Sequence, residues 1–501
     1  MFGFTVLILA ASYCLWYIIK YILWTIRAAN MVANIPGPKP LPIIGNALIF
    51  SGIKSTEEAF KVITSLLNDY STEDGINRVW LGPKLVISLG NAKHIEKILS
   101  NPDALQRDDI YQRVGLFSSG MFVRNGREWH KLRKPLDKLI TKKMVESNIS
   151  VFQEKALKMC HMINKHAETG IEFVLRGYLV NFAIEVLCVT NFGCDINLNE
   201  NDGIKLKEAL DSGLELIMKF IIQIPYNISL TCAKFSKDCR RLNQLMKDYW
   251  HFCNKLLQDR LRNRTLLQED EHSLPKYFSD VLLEKATKDK LSSEDTGKLV
   301  ADFFFGGFDT SSVILHYTLL LLAIFPEHQE HVYREQMDIF GNNPEIELSW
   351  EQLSKMEFLT RVLKEVLRLY CPIGIFRKPT SDIDLGDYKL PKGSTLFIMF
   401  YSLHRNPKIW SHPNEFHPDH FLPEECARRP KGSYLPFSLG PKSCPGSVYA
   451  MTSLKIAVST AIRRYKFETG VKFEELEYKY GILLEPKEEY LLRITNRVPQ
   501  L

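Results

Sequence analysis

The sequence predicts a mainly α-helical protein with a smaller β region, preceded by a single N-terminal transmembrane helix. An uncharged apolar run opens the chain, and apolar residues then recur at helical spacing over residues 125–370. Strand-like segments are confined to residues 76–100, 383–400 and 480–496. The 501 residues show no linker, low-complexity tract or internal repeat after residue 50, so we expect one large domain there.

Residues 1–27 are predicted to form a membrane anchor. Residues 2–19 carry no charge, and the apolar run resumes after Lys20 as far as Ile26. A helix of that length crosses roughly 30 Å of hydrocarbon. The basic residues follow the segment, which predicts that the rest of the chain faces the cytosol. A cleaved signal peptide is the alternative, although its apolar core would be shorter and would normally follow a basic residue.

Residues 28–50 are predicted to form a basic, proline-rich hinge between the anchor and a catalytic domain at residues 51–501. Prolines occupy every second position from Pro36 to Pro42. Proline fixes the backbone in an extended form, so we expect the hinge to be a stiff spacer.

The smaller β region begins with a predicted hairpin. Two runs rich in β-branched and aromatic residues, 77–81 and 85–89, are separated by the dipeptide Gly82-Pro83. Further short strands are predicted close to the C-terminus, beyond the helical region.

Composition excludes some functions. The net charge is +6, and the basic residues are scattered along the chain, so nucleic acid binding is not expected. Binding to a membrane surface or to an acidic protein partner is compatible with this charge. The ten cysteines include no Cys-x-x-Cys pair and are too sparse for a disulfide scaffold. This composition is typical of a domain in a reducing, cytosol-facing environment.

One long helix with unusual residues is predicted before Pro326, where an N-cap serine and an acidic first turn mark its start. Its middle contains Gly306 and Gly307, and each glycine costs about 1 kcal/mol relative to alanine. Asp309 and Thr310 follow in an otherwise apolar stretch. Such inconsistency is expected where function overrides stability. The alternative is a packing notch, in which small residues let another element approach.

Two shorter patterns lie on other predicted helices. Glu365 and Arg368 are neighbours at i and i+3, a pattern that carries little information alone. Trp129 and Arg133 are spaced by four residues. The alternative for this second pair is simply one exposed face of a helix.

The loop at residues 436–446 is the most informative feature. Cys444 lies between Gly440 and Gly446, seven residues after Phe437 and directly before a helical pattern. A metal-ligating thiolate requires close backbone approach and a nearby positive potential, which a helix N-terminus supplies. The loop offers no second cysteine or histidine at zinc spacing, which favours one axial thiolate on a cofactor such as haem. The alternative is a small buried hydrophobic residue.

This loop resembles the haem-binding loop of the cytochrome P-450 superfamily, and residues 306–311 resemble the oxygen-activation motif of that superfamily. The proline-rich hinge is similar to that of microsomal members, and the similarity extends over residues 35–497. Lys442 and His420 depart from the pattern, because arginine is usual at both positions. Lysine keeps the positive charge of arginine but lacks the guanidinium that binds a carboxylate through two hydrogen bonds. We therefore expect haem to bind, with its propionates held less firmly.

The resemblance implies a role for each candidate residue. Cys444 would ligate the iron, Thr310 would hydrogen-bond oxygen on the distal side, and Asp309 would relay the protons that O–O cleavage needs. Contacts with the cofactor are implied for Trp129, Arg133, Arg377, Phe437, Lys442, Gly306 and Gly307. Core-stabilising contacts are implied for Glu365, Arg368 and His420, with His420 pairing with Glu365 when it is protonated.

The resemblance also implies the cofactor and the activity. The chain looks most like the clan of fatty-acid ω-hydroxylases and their insect relatives. Many members of that clan esterify haem through a glutamate, but Gly306 occupies that position here, so haem b would be held without a covalent bond. The activity would be a monooxygenase that inserts one oxygen atom from dioxygen into a lipophilic small molecule, such as a fatty acid, a steroid or terpenoid, or a xenobiotic.

Partners and location follow from the same resemblance. Electrons would come from NADPH through a flavoprotein reductase, with cytochrome b5 as an optional second donor. The protein would lie in the endoplasmic reticulum membrane as a single-pass protein, with its catalytic domain on the cytosolic side. Two alternatives stay open: a haem-thiolate isomerase or dehydratase that acts on peroxides, and a non-catalytic haem- or lipid-binding protein.

The substrate side of the site is predicted less sharply. The apolar residues 214–232 would cover the roof of the active site and dip into the bilayer, unless they are ordinary core. The predicted pocket wall consists of the loop at residues 108–122 and of Phe303, Phe304, Phe308, Ile373 and Ile375.

Overall fold

A computed structural model describes residues 2–73, 75–114, 120–196, 198, 201–222, 236–266, 277–289, 293–341 and 346–497. Most of these residues are helical. The α-helices are α1 (Phe2–Met31), α2 (Thr56–Tyr70), α3 (Ala92–Ser100), α4 (Tyr111–Val114), α5 (Gly126–Leu139), α6 (Lys142–Ser147), α7 (Ile149–Thr169), α8 (Arg176–Phe192), α9 (Asn201–Ile222), α10 (Lys237–Leu266), α11 (Phe278–Asp289), α12 (Ser293–Ile324), α13 (Pro326–Phe340), α14 (Trp350–Lys355), α15 (Glu357–Leu369), α16 (Phe400–Leu403), α17 (Pro423–Arg428) and α18 (Ser447–Arg464).

The strands form a smaller β region, as the sequence predicts. They are β1 (Ile76–Leu81), β2 (Lys84–Leu89), β3 (Phe173–Val174), β4 (Ile375–Arg377), β5 (Ile383–Asp384), β6 (Lys389–Leu390), β7 (Thr395–Ile398), β8 (Tyr465–Glu468), β9 (Tyr478–Tyr480), β10 (Leu484–Pro486) and β11 (Leu491–Asn496). The largest sheet has the order β1-β2-β7-β4. Its antiparallel β1–β2 pair, in which Leu81 lies opposite Lys84, is the predicted hairpin.

Helix α12 lies at the centre of the helical core. It packs against α8, α10, α15 and α18, and its second half is buried, with Tyr317 and Leu319 through Leu322 at 0% exposure. The window Val300–Ile324 is apolar enough to span a membrane, but 78% of it is buried within the protein. A helix that is apolar on every side can be a core helix of a large domain, and α12 is one.

Helix α1 has the opposite environment. The span Thr5–Met31 has a mean hydropathy of 1.9 and contains an 18-residue apolar stretch with no buried residue, and apolar side chains such as Leu7 and Leu9 are more than half exposed. A helix of 27 residues is long enough to cross a bilayer. Helix α1 is therefore a candidate for a single membrane span.

The end of α1 docks onto the large domain. The Trp24 indole N–H donates to the carbonyl of Lys392 at 3.0 Å, and Arg27 forms an ion pair with Asp382. Ala28, in the last turn, is 1% exposed. The helix thus continues past the predicted anchor boundary at residue 27, because its last residues bury apolar surface against the domain.

The proline-rich segment is also packed rather than free. The carbonyl of Pro36 accepts from Arg78 N of strand β1 at 2.8 Å, and the carbonyl of Ile35 accepts from Arg78 Nε at 2.6 Å. A Cβ added to Gly37 would lie 2.0 Å from the Arg78 carbonyl oxygen. The segment is therefore not the extended spacer that the sequence predicts, because residues 35–37 contact the hairpin directly and residues 41–45 turn back on themselves through the Leu41–Gly45 bridge.

Candidate haem-thiolate site

Cys444 lies in a tight loop just before α18. The Cys444 amide donates to the carbonyl of Phe437 at 2.9 Å, which closes the loop on itself. Gly440 has a φ of +76°, and a Cβ there would lie 2.3 Å from the carbonyl oxygen of Leu99. Only glycine fits such a position. The loop therefore has the glycine turn and the helix N-terminus that the sequence predicts.

The Cys444 thiol is accessible on one side only. Its side chain is exposed, yet protein on the other side desolvates the sulfur enough to raise the pKa of the thiol above its ordinary value. The backbone N–H of Gly446 and the charge of Arg133 lower the pKa in part. A thiol with an open side, an N–H donor and a nearby cation is suited to ligate a metal ion as a thiolate.

Three cationic side chains meet beside this loop. Arg107 and Arg377 lie opposite each other in an isolated antiparallel bridge, and Lys442 Nζ is 3.0 Å from Asn125 Oδ1. Arg377 is 2% exposed and Lys442 is 9% exposed. Within the part of the chain that the structure describes, no carboxylate lies within ion-pair distance of these three groups.

The three cations destabilise one another. Desolvation, followed by the charge of Arg107, lowers the pKa of Arg377 to about 10. Desolvation, followed by the charges of Arg107 and Arg377, lowers the pKa of Lys442 to about 7. Among the described residues Arg107 Nε has no hydrogen-bond partner. Buried like charges are costly unless an anion joins them, so this cluster fits the carboxylates of a bound ligand such as the two haem propionates.

Trp129 lies between this cluster and the loop. Its ring is 4.9 Å from Lys442 Nζ and 6.0 Å from the Arg133 guanidinium, and the residue is 3% exposed. Arg133 Nη1 donates to the Ser443 carbonyl at 2.6 Å. The alternative of an exposed helix face is therefore wrong for Trp129, because this side of α5 packs on the cysteine loop.

Glu365 and Arg368 form a second charge cluster, in which the two opposite charges pair with each other. Both side chains are 0% exposed. Arg368 Nε and Nη2 donate to the two carboxylate oxygens of Glu365 at 2.8 Å each. The other guanidinium N–H groups reach the carbonyls of His404, Pro413 and Glu415 at 2.7, 2.7 and 2.9 Å. The pair fixes α15 to the segment that follows α16.

His420 joins this cluster in the place predicted for it. Its Nδ1 is 3.1 Å from Glu365 Oε1, and the backbone N–H of His412 donates to its Nε2 at 3.3 Å. Because Nε2 accepts, the proton of a neutral ring lies on Nδ1 and is donated to Glu365. The pairing with Glu365 therefore does not require a protonated imidazole, which corrects the expectation from sequence.

A stripe of α12 is half-buried although the surrounding helix is buried. It consists of Phe303, Gly306, Gly307, Thr310 and Ser311. Residues at this spacing share one face of a helix. Helix α12 also contacts α18, which follows Cys444. This face is therefore covered less completely than the residues around it on the helix.

The two glycines of this stripe have different neighbours. A Cβ added to Gly306 would lie 3.0 Å from Phe122 Cζ, and one added to Gly307 would lie 2.9 Å from Leu187 Cδ2 of α8. Thr310 Oγ1 donates to the carbonyl of Gly306 at 3.0 Å. Gly306 and Thr310 thus share one face of α12, whereas Gly307 packs against α8, and the predicted roles of all three toward the cofactor stay predictions.

Asp309 is a buried carboxyl next to this stripe, and its pKa is strongly raised. It is 3% exposed, and Oδ2 has no hydrogen-bond partner among the described residues. Desolvation raises the pKa of Asp309 to about 7, with a further contribution from Glu485 and an opposing one from Arg176. The carboxyl therefore holds a proton close to neutral pH.

The residues of the predicted pocket wall differ in their burial. Phe304 and Phe308 are 0% and 2% exposed, and the Phe304 ring packs against Phe252 at 6.0 Å. These two residues, like the 2% exposed Ile373, belong to the core, because α12 is apolar on every side. Ile375 is half-buried. The predicted wall residues 115–119 and roof residues 223–232 lie outside the described residues.

Sequence reasoning missed Arg107 and Asn125. Asn125 Oδ1 accepts both from the backbone N–H of Arg107 at 2.8 Å and from Lys442. Neither residue belongs to a local pattern, since Lys442 is 317 residues away in the sequence. The bridge to Arg377 is the structural signal that identifies Arg107.

The fold and this arrangement define a haem-thiolate protein. One accessible cysteine stands at a helix N-terminus, three cations without an ion-pair partner among the described residues stand beside it, and a half-buried hydroxyl and a buried acid lie on the central helix. The residues present therefore fit haem. Comparison with known proteins gives the same class.

The family model described as Cytochrome P450 matches residues 35–493. Cytochrome P450 4c3 of Drosophila melanogaster is 30% identical over 494 residues, which cover 94% of this chain and 91% of the relative. Cytochrome P450 4c21 of Blattella germanica is 29% identical, covering 93% and 94%. Cytochrome P450 4V2 of Homo sapiens is 27% identical, covering 91% and 88%.

The chain belongs to the cytochrome P450 family, and it is related to the ω-hydroxylase clan that the sequence predicts. Members of this family bind haem through a cysteine thiolate. The protein is therefore a cytochrome P450 monooxygenase.

Proposed function

We propose that this enzyme inserts one oxygen atom of dioxygen into a lipophilic small molecule, a fatty acid, a steroid or terpenoid, or a xenobiotic, with electrons from NADPH. The observation that carries this proposal is the half-buried stripe of α12, which would line a groove for the substrate. Thr310 lies on this stripe and the buried acid Asp309 precedes it in the chain, on a helix that contacts the helix after Cys444. An apolar groove suits a lipophilic substrate, and the acid and hydroxyl suit proton delivery.

Different residues would contact different parts of the cofactor. Cys444 would be the axial ligand, and Arg107, Arg377 and Lys442 would bind the propionates, with Asn125 orienting Lys442. Trp129 and Arg133 hold the loop, and Phe437 closes it through its carbonyl. When bound, haem would supply the chemistry of dioxygen reduction.

Protons would come from the distal side. Asp309 holds a proton near neutral pH because its pKa is raised to about 7. Thr310 would pass that proton toward the groove, and its hydroxyl is oriented by the Gly306 carbonyl. A Thr310→Ala variant should keep NADPH oxidation but lose roughly tenfold or more in product formed per NADPH, because the relay is broken.

Haem b would be held without a covalent bond. Gly306 provides no carboxylate to form an ester with the cofactor, and its neighbour across the groove is Phe122. Mass spectrometry of the acid-denatured protein should show free haem and an unmodified polypeptide. A polypeptide that retains the mass of haem would contradict this part of the proposal.

A flavoprotein reductase would supply the electrons, and cytochrome b5 is proposed as an optional second donor. Helix α5 supports this, because its side that faces away from the cysteine loop exposes Arg127, His130, Lys131 and Lys134. An acidic partner surface would complement these charges. A Lys131→Glu/Lys134→Glu variant should weaken reductase coupling and its dependence on salt, while the spectrum of the isolated protein stays unchanged.

The enzyme would lie in the endoplasmic reticulum membrane with the domain on the cytosolic side. Support comes from the exposed apolar helix α1 and from Arg27 and Lys39, the basic residues that follow its apolar core. Protease digestion of sealed microsomes should remove the catalytic domain. Protection of the domain would contradict the proposed topology.

The main test is product formation with labelled dioxygen. Purified enzyme, reductase, NADPH and a panel of fatty acids, steroids, terpenoids and lipophilic xenobiotics should give a product carrying one labelled oxygen atom. Product formed from a lipid peroxide without NADPH would instead indicate an isomerase or dehydratase. The absence of NADPH-dependent product across the panel would contradict the proposal.

A further inference from the structure

The cysteine loop is fixed at its beginning by the side chain of a buried histidine. The backbone N–H of Leu435, the residue directly before the loop, donates to His404 Nε2 at 2.8 Å. Leu435 and His404 are 5% and 0% exposed, and a hydrogen bond in such an environment is stronger than one in water. His404 follows α16 and lies 31 residues from Leu435 in the sequence. The bond therefore joins the loop to a separate segment of the chain.

The other ring nitrogen of His404 has a partner of its own. Its Nδ1 is 3.1 Å from the sulfur of Cys371, which is 1% exposed. A neutral imidazole carries one proton. Because Nε2 accepts from Leu435, that proton lies on Nδ1 and is donated to the sulfur. The thiol hydrogen of Cys371 is left to the carbonyl of Arg368, 3.8 Å from the sulfur.

The protonation states of the two groups suit these contacts. Desolvation, followed by the charges of Arg368 and Arg405, lowers the pKa of His404 to about 3. Desolvation raises the pKa of the Cys371 thiol to about 12. The imidazole is therefore neutral around pH 7, and it keeps the acceptor nitrogen that the amide of Leu435 uses.

The backbone of His404 is bonded to the Glu365–Arg368 pair. Arg368 Nη1 donates to the carbonyl of His404 at 2.7 Å, and the guanidinium is itself held by both carboxylate oxygens of Glu365. The backbone N–H of His404 donates to the carbonyl of Phe400 at 2.8 Å. The buried ion pair and the short helix α16 thus fix the position from which the imidazole reaches the loop.

The residue that His404 holds begins a strained turn. The backbone N–H of Ser438 donates to the carbonyl of Leu435 at 3.1 Å, and Ser438 has a φ of +63°. A residue other than glycine rarely adopts this left-handed conformation, which persists only where the surrounding structure fixes it. Phe437 lies inside the turn, and its carbonyl accepts the amide of Cys444 at 2.9 Å. A shift at Leu435 would therefore move the backbone that holds Cys444.

We propose that His404 is a positioning residue for the axial ligand, because its imidazole connects the Glu365–Arg368 pair to the start of the cysteine loop. The inference rests on the proposed function, in which Cys444 binds the haem iron. His404 would act only through Leu435 and the turn that follows it. Without the acceptor nitrogen the turn would relax, and the thiolate would be lost more easily as a ligand.

Two substitutions at His404 separate the acceptor from the rest of the ring. His404→Gln places an amide oxygen close to the position of Nε2, where it can accept from Leu435. The shorter side chain in His404→Asn reaches only the position of Nδ1. His412→Asn is the matched control, because it removes an imidazole from an exposed position of the same connecting segment.

The first readout is hydrogen–deuterium exchange of the Leu435 amide in the holoenzyme. This amide is well separated from those that follow, because Pro436 has no N–H. We expect exchange to be about tenfold or more faster in His404→Asn than in wild type, because the amide loses its acceptor. Exchange in His404→Gln and in His412→Asn should stay close to that of wild type.

The second readout is the spectrum of the reduced protein with carbon monoxide, followed over time in mild urea. The red-shifted thiolate band should be lost about tenfold faster in His404→Asn than in wild type, and His404→Gln should restore most of the difference. Wild-type behaviour of His404→Asn in both readouts would overturn the assignment. Equal effects of the glutamine and asparagine substitutions, or an effect of His412→Asn as large as theirs, would also overturn it.

Failure of the proposed function would give a different result. Wild-type protein would then lack the red-shifted band from the start. Exchange of the Leu435 amide would still decide whether His404 holds the loop, because that measurement does not depend on the identity of the axial ligand.

Discussion

The two charge clusters near the cysteine loop are balanced in different ways. In one, Arg368 donates to both oxygens of Glu365 and its remaining N–H groups reach backbone carbonyls. In the other, Arg107, Arg377 and Lys442 face one another, and no carboxylate of the described residues lies within ion-pair distance, although the more distant charge of Asp302 favours the charged form of Arg107. The first cluster is complete within the chain, and the second becomes complete only with an anion.

This difference separates residues that hold the fold from residues that hold a ligand. A buried ion pair in which every group is satisfied stabilises one arrangement of the chain. A buried group of like charges costs free energy in the folded state and returns it when a ligand of opposite charge binds. Asp309 belongs with the unbalanced groups, since it is a buried acid without a partner among the described residues.

Breaking the balanced cluster should have the largest effect. Glu365→Gln leaves Arg368 buried without an anion, and losing one partner of a buried pair costs about 3–5 kcal/mol in the free energy of unfolding. Urea unfolding of the purified protein measures this loss. Glu73→Gln, which breaks the exposed pair with Lys408, is the control and should leave unfolding unchanged. Equal unfolding midpoints for the two variants would contradict the structural role of Glu365.

Removing the acid of the unbalanced group should have a pH-dependent effect. The pKa of Asp309 is raised from 3.8 to about 7, so between these pH values the folded protein binds more protons than the unfolded chain. The free energy of unfolding therefore falls as pH rises through this window.

Asp309→Asn should lack this term and be more stable than wild type above about pH 7, by on the order of 2–4 kcal/mol. Urea unfolding on both sides of the window measures the difference. A variant that is less stable than wild type at alkaline pH would show that the carboxylate is balanced in the folded protein.

Removing one cation should stabilise the haem-free protein and weaken haem retention. Arg377→Met keeps the volume of a buried side chain and relieves the repulsion that lowers the pKa values of Arg377 and Lys442. We expect a gain of about 1 kcal/mol in the free energy of unfolding without haem. The rate of haem transfer to apomyoglobin should rise about tenfold. If the haem-free Arg377→Met variant were less stable than wild type, the three cations would stabilise the fold, as Glu365 and Arg368 do.

Restoring the arginine of the family pattern should have the smallest effect. Lys442→Arg supplies a guanidinium fork, which binds a carboxylate through two hydrogen bonds. Haem transfer to apomyoglobin should slow by roughly tenfold at most. A faster transfer would show that the space between Trp129 and Asn125 accommodates only lysine.

Local patterns predicted the elements that depend on local sequence. The β1–β2 hairpin follows from alternation around Gly82-Pro83, and α12 follows from its caps and periodicity. The helix that begins after Cys444 follows likewise from the periodicity of its apolar residues. These features are encoded within about thirty residues of chain, so periodicity and turn chemistry suffice.

Contacts between distant segments were not predictable by the same reasoning. Asn125 joins Lys442 across 317 residues, and Arg107 meets Arg377 through a bridge without any repeated pattern. The assignment of Phe304 and Phe308 to the pocket failed because every side of α12 is apolar, so composition could not identify the face of the helix that its neighbours cover least. Gly306 and Gly307 look equivalent in the sequence. Only the contact of Gly307 with the Leu187 side chain shows that this glycine serves helix packing.

The most direct test of the central claim is the spectrum of the reduced protein with carbon monoxide. The wild-type enzyme should show the red-shifted Soret band of a haem-thiolate, and Cys444→His should lose it. Cys426→Ala, which changes another exposed cysteine, should retain the band. A red-shifted band in Cys444→His, or its absence in wild type, would contradict Cys444 as the axial ligand.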